Sequence, residues 1–187
     1  MLPPGGAEVD VAVLFADVRG STKLGESMGA GAFAAMLNRF YATASHALLD
    51  HNAMIDKMVG DEVMALFIQG PTGPDYRRQA VLGAADLMRE MGYGRGEPWL
   101  PIGIGVHAGP AYVGKVGTTD IHDFTALGDT VNSTARLQAE AQPGEVIISE
   151  ELYADVASEF PDLERRSLEV KGKAEPIAVR VLHAAGG

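Results

Sequence analysis

Ile55-Asp56-Lys57-Met58-Val59-Gly60-Asp61-Glu62-Val63-Met64-Ala65-Leu66-Phe67 consists of two apolar runs parted by Gly60-Asp61. A Gly-Asp pair in that setting reads as the tight turn of a β-hairpin, with an acidic side chain at its tip. Lys57 stands on the strand that leads into the turn. A second carboxylate, Asp17, closes another apolar strand, Val9 to Asp17, whose composition suggests burial on both faces. Whether these two carboxylates meet decides both the fold and the chemistry.

Working outward, Arg19-Gly20-Ser21-Thr22 follows the first strand. Small and hydroxyl residues between a strand and a helix can turn backbone N–H groups toward an anion, and serve equally as an ordinary N-cap. Phe33, Met36, Leu37, Phe40, Tyr41, Ala44 and Leu48 recur with helical spacing, which predicts an amphipathic helix over 32–49 with those side chains in the core. Beyond the hairpin the sequence predicts a loop over 71–74, a helix over 75–91 and a break over 92–98. A glycine-interrupted strand, 100–107, follows; Gly109-Pro110 reads as a turn into a second arm, 111–116, and 121–127 as a further strand. Gly128-Asp129-Thr130 opens a helix carrying Val131, Ala135, Leu137 and Ala139. Then come a strand over 145–148, a short helix over 150–157, and strands over 163–170 and 177–183 around Lys171-Gly172-Lys173. This order predicts an α+β fold, a ferredoxin-like βαββαβ core with extra C-terminal strands and a helix. In that topology the first strand lies antiparallel beside the second arm of the hairpin. Asp17 and Asp61 then sit side by side at one edge of the sheet.

The chain has 187 residues, which suits one domain: a Pro/Gly-rich linker over 1–8 and a folded unit over 9–184. With 47% apolar and 21% charged residues it has the profile of a globular protein. A net charge of -10 argues against nucleic acid or an anionic membrane as partner, though not against a small anion that arrives with a divalent cation. There is no cysteine, hence no disulfide or thiolate metal site. No apolar run is long enough for a membrane span and no signal pattern opens the chain, so the expectation is a cytoplasmic domain, with regulatory domains outside this chain. No P-loop motif is present.

Two adjacent carboxylates repel, which raises one pKa. With Mg²⁺ or Mn²⁺ between them they become hard oxygen ligands that leave positions open for substrate phosphates. One or two such ions activate a hydroxyl and stabilise phosphoryl transfer. Taken singly, each aspartate is as readily an exposed turn or cap residue.

Three blocks carry a resemblance: Phe15-Ala16-Asp17-Val18-Arg19-Gly20-Ser21-Thr22; Asp56-Lys57-Met58-Val59-Gly60-Asp61; and Phe124-Thr125-Ala126-Leu127-Gly128-Asp129-Thr130-Val131-Asn132 through Arg136. Together, with Gly105 to Pro110 and Val170 to Lys173 as lesser matches, they resemble the signature blocks of class III nucleotidyl cyclases. The resemblance implies that Asp17, Val18 and Asp61 hold two divalent cations, Mg²⁺ or Mn²⁺, with Asp17 also helping to position the attacking 3′-hydroxyl. It implies that Lys57 reads adenine with Thr125 as partner, Asn132 orients the ribose, and Arg136 stabilises pentavalent phosphorus. Lys171, or in its place Lys173, would meet the terminal phosphates. Asn132 and Arg136 fall at i, i+4, so one helix can present both to one ligand.

A lysine can only donate, and a threonine can donate or accept toward the exocyclic group of the base. Guanylyl cyclases resemble this pattern but carry an acidic residue at the Lys57 position, so the resemblance favours ATP over GTP. Threonine at 125, in place of a more familiar aspartate, resembles a subclass in which bicarbonate activation is common. The resemblance also implies a head-to-tail homodimer with two shared sites, the metal aspartates from one subunit facing the base, ribose and transition-state residues of the other. Gly103 stands where several cyclases carry a phosphate-holding arginine, which shifts phosphate binding toward Arg19, Gly20, Ser21, Thr22 and Lys171; Ser21 stands where phenylalanine is frequent. Rival readings are a guanylyl or other nucleotidyl cyclase and a catalytically silent nucleotide-binding module. A diguanylate cyclase is disfavoured because Val59-Gly60-Asp61-Glu62-Val63 lacks that family's leading glycine and its phenylalanine. His107 reads as a packed histidine, Glu62 as a surface or supporting carboxylate, and Trp99 as a core or loop aromatic.

Overall fold

The computed structural model describes residues 5–184, so residues 1–4 of the expected linker lie outside the description. Strand β1 (Gly6–Val18) begins three residues before the sequence suggests, because Gly6 already pairs with Gly114. Its side chains alternate between two cores. Ala12, Leu14, Ala16 and Val18 enter one; Val11, Val13 and Phe15 enter the other. This is why the strand is apolar almost throughout.

The predicted helix 32–49 is the greater part of α2 (Ala30–Leu49), which buries Phe40, Ala44, Ala47 and Leu48. A separate helix, α1 (Ser21–Met28), precedes it, and Gly29 at φ 79 makes the break. Strands β2 (Met54–Val59) and β3 (Glu62–Ile68) form the hairpin around a two-residue loop, with Gly60 at φ 58 supplying the left-handed residue the turn needs. A four-residue helix, α3 (Gln69–Thr72), takes up the first part of the expected loop, and α4 (Tyr76–Glu90) packs on α2 and the sheet. The remaining elements are β4 (Ile102–Gly117), β5 (His122–Leu127), α5 (Asp129–Ala139), β6 (Glu145–Ser149), α6 (Glu150–Tyr153), β7 (Glu164–Leu168) and β8 (Ile177–His183). The eight strands form one sheet in the order β2-β3-β1-β4-β6-β8-β7, with β5 paired to the far end of β4. Its β2-β3-β1-β4 portion is the expected ferredoxin-like core.

The predicted turn at Gly109-Pro110 is absent, and β4 runs through both residues for 16 positions, with Pro110 opposite Asp10 of β1. The reason lies on the other side of β4. There β6 pairs only with Ile104 to Val106 and β5 only from Tyr112 onward, so Pro110 falls in the gap between them. Its carbonyl accepts from Thr130 Oγ1 at 2.6 Å, and no neighbouring strand asks for the N–H that proline lacks. The predicted short helix over 150–157 also shrinks, to α6.

Candidate active site

Asp17 lies opposite Glu62 in the β1/β3 ladder, and the Val18 N–H donates to the Asp61 carbonyl at 3.0 Å. That bond pins the hairpin tip to the end of β1 and brings Asp61 close enough for its charge to act on the Asp17 carboxyl. Burial and then the Asp61 charge push Asp17 up to about 7, with Glu62 adding to the rise and Arg19 opposing it. Burial and the Asp61 charge also raise Glu62 and Tyr41. Ser21 Oγ donates to Asp61 Oδ2, and Tyr41 Oη donates to the Gly60 carbonyl, so the tip is held from α1 and α2 as well. Two half-buried carboxylates that resist carrying charge together suit a hard divalent cation. Among the described residues no three His, Cys, Asp or Glu side chains converge on one point. An ion bound here would need its other ligands from backbone carbonyls, water or a bound anion, which is how Mg²⁺ sites are commonly completed.

Arg19 departs from the expectation that it contacts phosphate. Its Nε donates to the Ala141 carbonyl at 2.8 Å and its Nη2 to that of Gln138, so the guanidinium caps the C-terminal end of α5. A cation there also suits the negative end of the helix dipole. This accounts for Gly103: a Cβ at that position would lie 2.7 Å from the Arg19 guanidinium. Gly20, Ser21 and Thr22 do form the start of α1, and no side chain caps its first turn.

The second group of candidates gathers on β2, β5 and α5. Lys57 Nζ donates to Thr125 Oγ1 at 2.9 Å, joining residues 68 apart in the chain. Asp56, to which the sequence reading gives no role, touches both: Lys57 Nζ reaches its Oδ1 at 3.3 Å and Thr125 Oγ1 donates to its Oδ2 at 2.6 Å. The Asp56 side chain is 2% exposed. Neighbours on a regular strand point to opposite faces, so such convergence is unexpected. It follows from a β-bulge: Ile55 pairs with Ala65 and Lys57 with Met64, which leaves Asp56 as the extra residue. Only the register shift reveals this; the sequence carries no sign of it.

Helix α5 carries Asn132, exposed near its start, and Arg136 one turn later. Its position is set by close packing, since a Cβ on Gly105 would lie 2.5 Å from the Gln138 nitrogen. A Cβ on Gly172 would lie 3.8 Å from Arg136 Nη2, so the guanidinium lies beside the Lys171-Gly172-Lys173 loop. Lys173 is engaged with both carboxylate oxygens of Asp129 at 3.3 Å. Among the described residues, Lys171 and Arg136 make no side-chain hydrogen bond or ion pair within the chain. His107 is mostly buried on β4, and that burial lowers its pKa, as expected of a packed histidine. Trp99 lies under the Arg39 guanidinium at 4.0 Å.

The adenylate and guanylate cyclase catalytic domain model matches residues 6–183. This chain belongs to that family. The cyclase domain is 34% identical over 183 residues to an adenylate cyclase of Anabaena cylindrica, covering 89% of this chain and 35% of that protein. It is 33% identical over 147 residues to the uncharacterised protein Rv1319c of Mycobacterium tuberculosis, covering 78% of this chain and 27% of that one. The chain thus spans about a third or less of the length of these curated relatives. The adenylyl cyclase CyaB from P. aeruginosa superposes with a TM-score of 0.79 at 27% identity, covering 95% of each chain. The guanylyl cyclase Cya2 shares the fold, with a TM-score of 0.85 at 22% identity over 97% of this chain and 95% of that one. Among the described residues, no helix is long and apolar enough to cross a membrane.

Proposed function

We propose that this domain is an adenylate cyclase, which converts ATP to 3′,5′-cyclic AMP and pyrophosphate. The observation that carries the choice of ATP is the 2.9 Å bond from Lys57 Nζ to Thr125 Oγ1, which sets a donor beside a hydroxyl at the spacing of adjacent groups on a base edge. Lys57 donates to the ring acceptor N1 of adenine, and Thr125 pairs with the exocyclic amine. Asn132 holds the ribose, and Arg136 faces the charge that builds on the α-phosphate as the 3′-oxygen attacks in line and pyrophosphate departs. Lys171, with Lys173 committed to Asp129, takes the terminal phosphates, assisted by the uncapped N–H groups of Gly20, Ser21 and Thr22 at the start of α1. Asp17, Asp61 and the Val18 carbonyl would hold divalent ions, Mg²⁺ or Mn²⁺, which would offset phosphate charge and acidify the 3′-hydroxyl.

The active form is a head-to-tail homodimer. The charges that act most strongly on Asp17 are those of Asp61, Arg19 and Glu62, rather than Lys57, Arg136 or Lys171. Asp17 pairs with Gly103 near the start of β4 and Thr125 with Gly114 near its end, which supports two half-sites in each chain, each completed by a second copy. Met58 and Val59 on β2, Phe124 and Leu127 on β5, and Ile121 just before β5 are large apolar residues left exposed on or beside the strands that carry Lys57 and Thr125, and they supply a surface for that copy. ATP as substrate makes the cytoplasm the working compartment, and the greater length of the relatives leaves room for regulatory segments beyond this chain. Incubating the purified domain with ATP or with GTP, each with Mn²⁺, and identifying the products tests the reading. Cyclic AMP is expected as the dominant product, and exclusive formation of cyclic GMP, or of neither cyclic nucleotide, contradicts it. Bicarbonate added at constant pH tests for the activation seen in the subclass that Thr125 suggests.

A further inference from the structure

The Thr125 hydroxyl has one proton and two lone pairs, and could by itself face a base as donor or as acceptor. In the structure its proton is donated to Asp56 Oδ2 at 2.6 Å and one lone pair accepts from Lys57 Nζ at 2.9 Å. What is left is a single lone pair. We propose that Asp56 is the positioning residue that sets base specificity, by fixing Thr125 as an acceptor toward the exocyclic group. The proposal rests on the adenylate cyclase reading above and deepens it.

The base edges differ in polarity. Adenine presents an acceptor at N1 and a donor at N6; guanine presents a donor at N1 and an acceptor at O6. A Lys57 donor beside a Thr125 acceptor complements adenine at both positions. Against guanine the Thr125 lone pair meets the O6 lone pairs, with no donor between them. A threonine free to rotate could instead donate to O6 and tolerate GTP. Asp56 removes that freedom. It can do so because an ionised carboxylate only accepts, so the Thr125 proton has one place to go.

Three features make the arrangement more than a surface contact. The Asp56 side chain is 2% exposed, and Thr125 is also buried. The same carboxylate accepts a hydrogen bond from the Lys57 ammonium at 3.3 Å, which steadies the lysine at the end of its flexible stem. The bulge that leaves Asp56 unpaired between Ile55 and Lys57 is what lets consecutive residues address one hydroxyl. Bulges beside functional sites commonly re-aim a side chain in this way.

The test is a set of steady-state kinetics for ATP and GTP with Mn²⁺, joined to equilibrium displacement of a fluorescent ATP analogue by unlabelled ATP and GTP under non-turnover conditions. Asp56→Asn, isosteric and able to donate, is expected to lower the ATP-over-GTP ratio of kcat/KM about 10- to 100-fold, since polarity mismatches at a buried hydrogen-bonding group discriminate strongly. The loss should fall mainly on KM for ATP, and the same change should appear in the displacement ratio. Adding Thr125→Asp to Asp56→Asn places an acceptor-only group at the base edge and should restore most of the preference. Thermal unfolding of each variant separates loss of fold from loss of selectivity. An unchanged ratio in folded Asp56→Asn overturns the proposal, and so does a lowered ratio that Thr125→Asp fails to recover, because a merely structural Asp56 would not be replaced by an acceptor at 125. A wild-type domain that forms no cyclic AMP sinks the adenylate cyclase reading, and this proposal with it. Cyclic AMP formation with an unaltered ratio in Asp56→Asn sinks the proposal alone.

Discussion

The two ends of the site are built on opposite electrostatic plans. At the hairpin tip Asp17, Asp61 and Glu62 share one field, and burial and like charge hold Asp17 up to about 7. At the bulge on β2, Lys57, Asp56 and Thr125 place opposite charges and matched hydrogen bonds side by side. The first end is under repulsion that a cation would relieve. The second is satisfied on its own and keeps its shape before ligand arrives. A site that must recognise a base benefits from fixed polarity, whereas a site that must recruit a metal benefits from an unsatisfied charge.

The most severe way to break the comparison is to remove one member of the acidic end. Asp17→Ala and Asp61→Ala are each expected to lower cyclase activity by about 1,000-fold or more, since bound metal ions contribute several kcal/mol to such reactions. Both should keep the fold by circular dichroism, because the repulsion goes with the carboxylate, although Asp61→Ala also gives up the bond from Ser21. A variant that keeps a tenth of wild-type activity would dissociate the acidic pair from catalysis.

Next in size is Gly105→Ala. Its Cβ would sit 2.5 Å from the backbone nitrogen of Gln138, so α5 must shift, at an expected cost of about 1–3 kcal/mol in denaturant unfolding. Asn132 and Arg136 ride on that helix, and activity should fall with it. Arg19→Ala removes the cap on α5 and is expected to cost about 1–2 kcal/mol. KM for ATP should change less than about twofold, which distinguishes a helix cap from a phosphate ligand.

The smallest effect sharpens the electrostatic half of the comparison. Asp17 binds its proton more tightly folded than unfolded, so its contribution to stability is full below its ordinary value of 3.8 and is lost as pH rises toward 7. In chelated buffer the melting temperature of Asp17→Asn should therefore gain on that of the wild type as pH rises from about 4 to about 7.5, by a few degrees. Carboxylates held low by arginines, such as Glu145 beside Arg166, act in the opposite sense, losing stability as pH falls, but they are common to both proteins and cancel in the difference. A gap that does not change with pH would mean that Asp17 is not perturbed.

Much of this molecule is legible in its sequence because the relevant signals are local. The helical spacing of Phe40, Ala44 and Leu48, the apolar run of β1 buried on both faces, and Gly60 in the hairpin turn each follow from a short window of residues. The approach of Asp17 to Asp61 follows from strand order, which the element sequence suggests. What escaped depended on neighbours distant in sequence. Gly109-Pro110 reads as a turn until the gap between β6 and β5 is known, and Arg19 reads as a phosphate ligand until the end of α5 arrives beside it. Asp56 escaped for a third reason: alternation puts it on the face opposite Lys57, and a single extra residue in the ladder reverses that inference.

The claim that each chain holds two unlike half-sites, completed only by a second copy, is tested most directly by mixing two inactive variants. Asp17→Ala spoils the acidic end and leaves the nucleotide end intact; Arg136→Ala does the reverse. Cyclic AMP formation by the equimolar mixture should rise well above that of either variant alone, toward the quarter of wild-type activity expected when half the dimers are mixed and one of their two sites is whole. A mixture no more active than its components, from variants shown to dimerise with each other, would contradict shared sites.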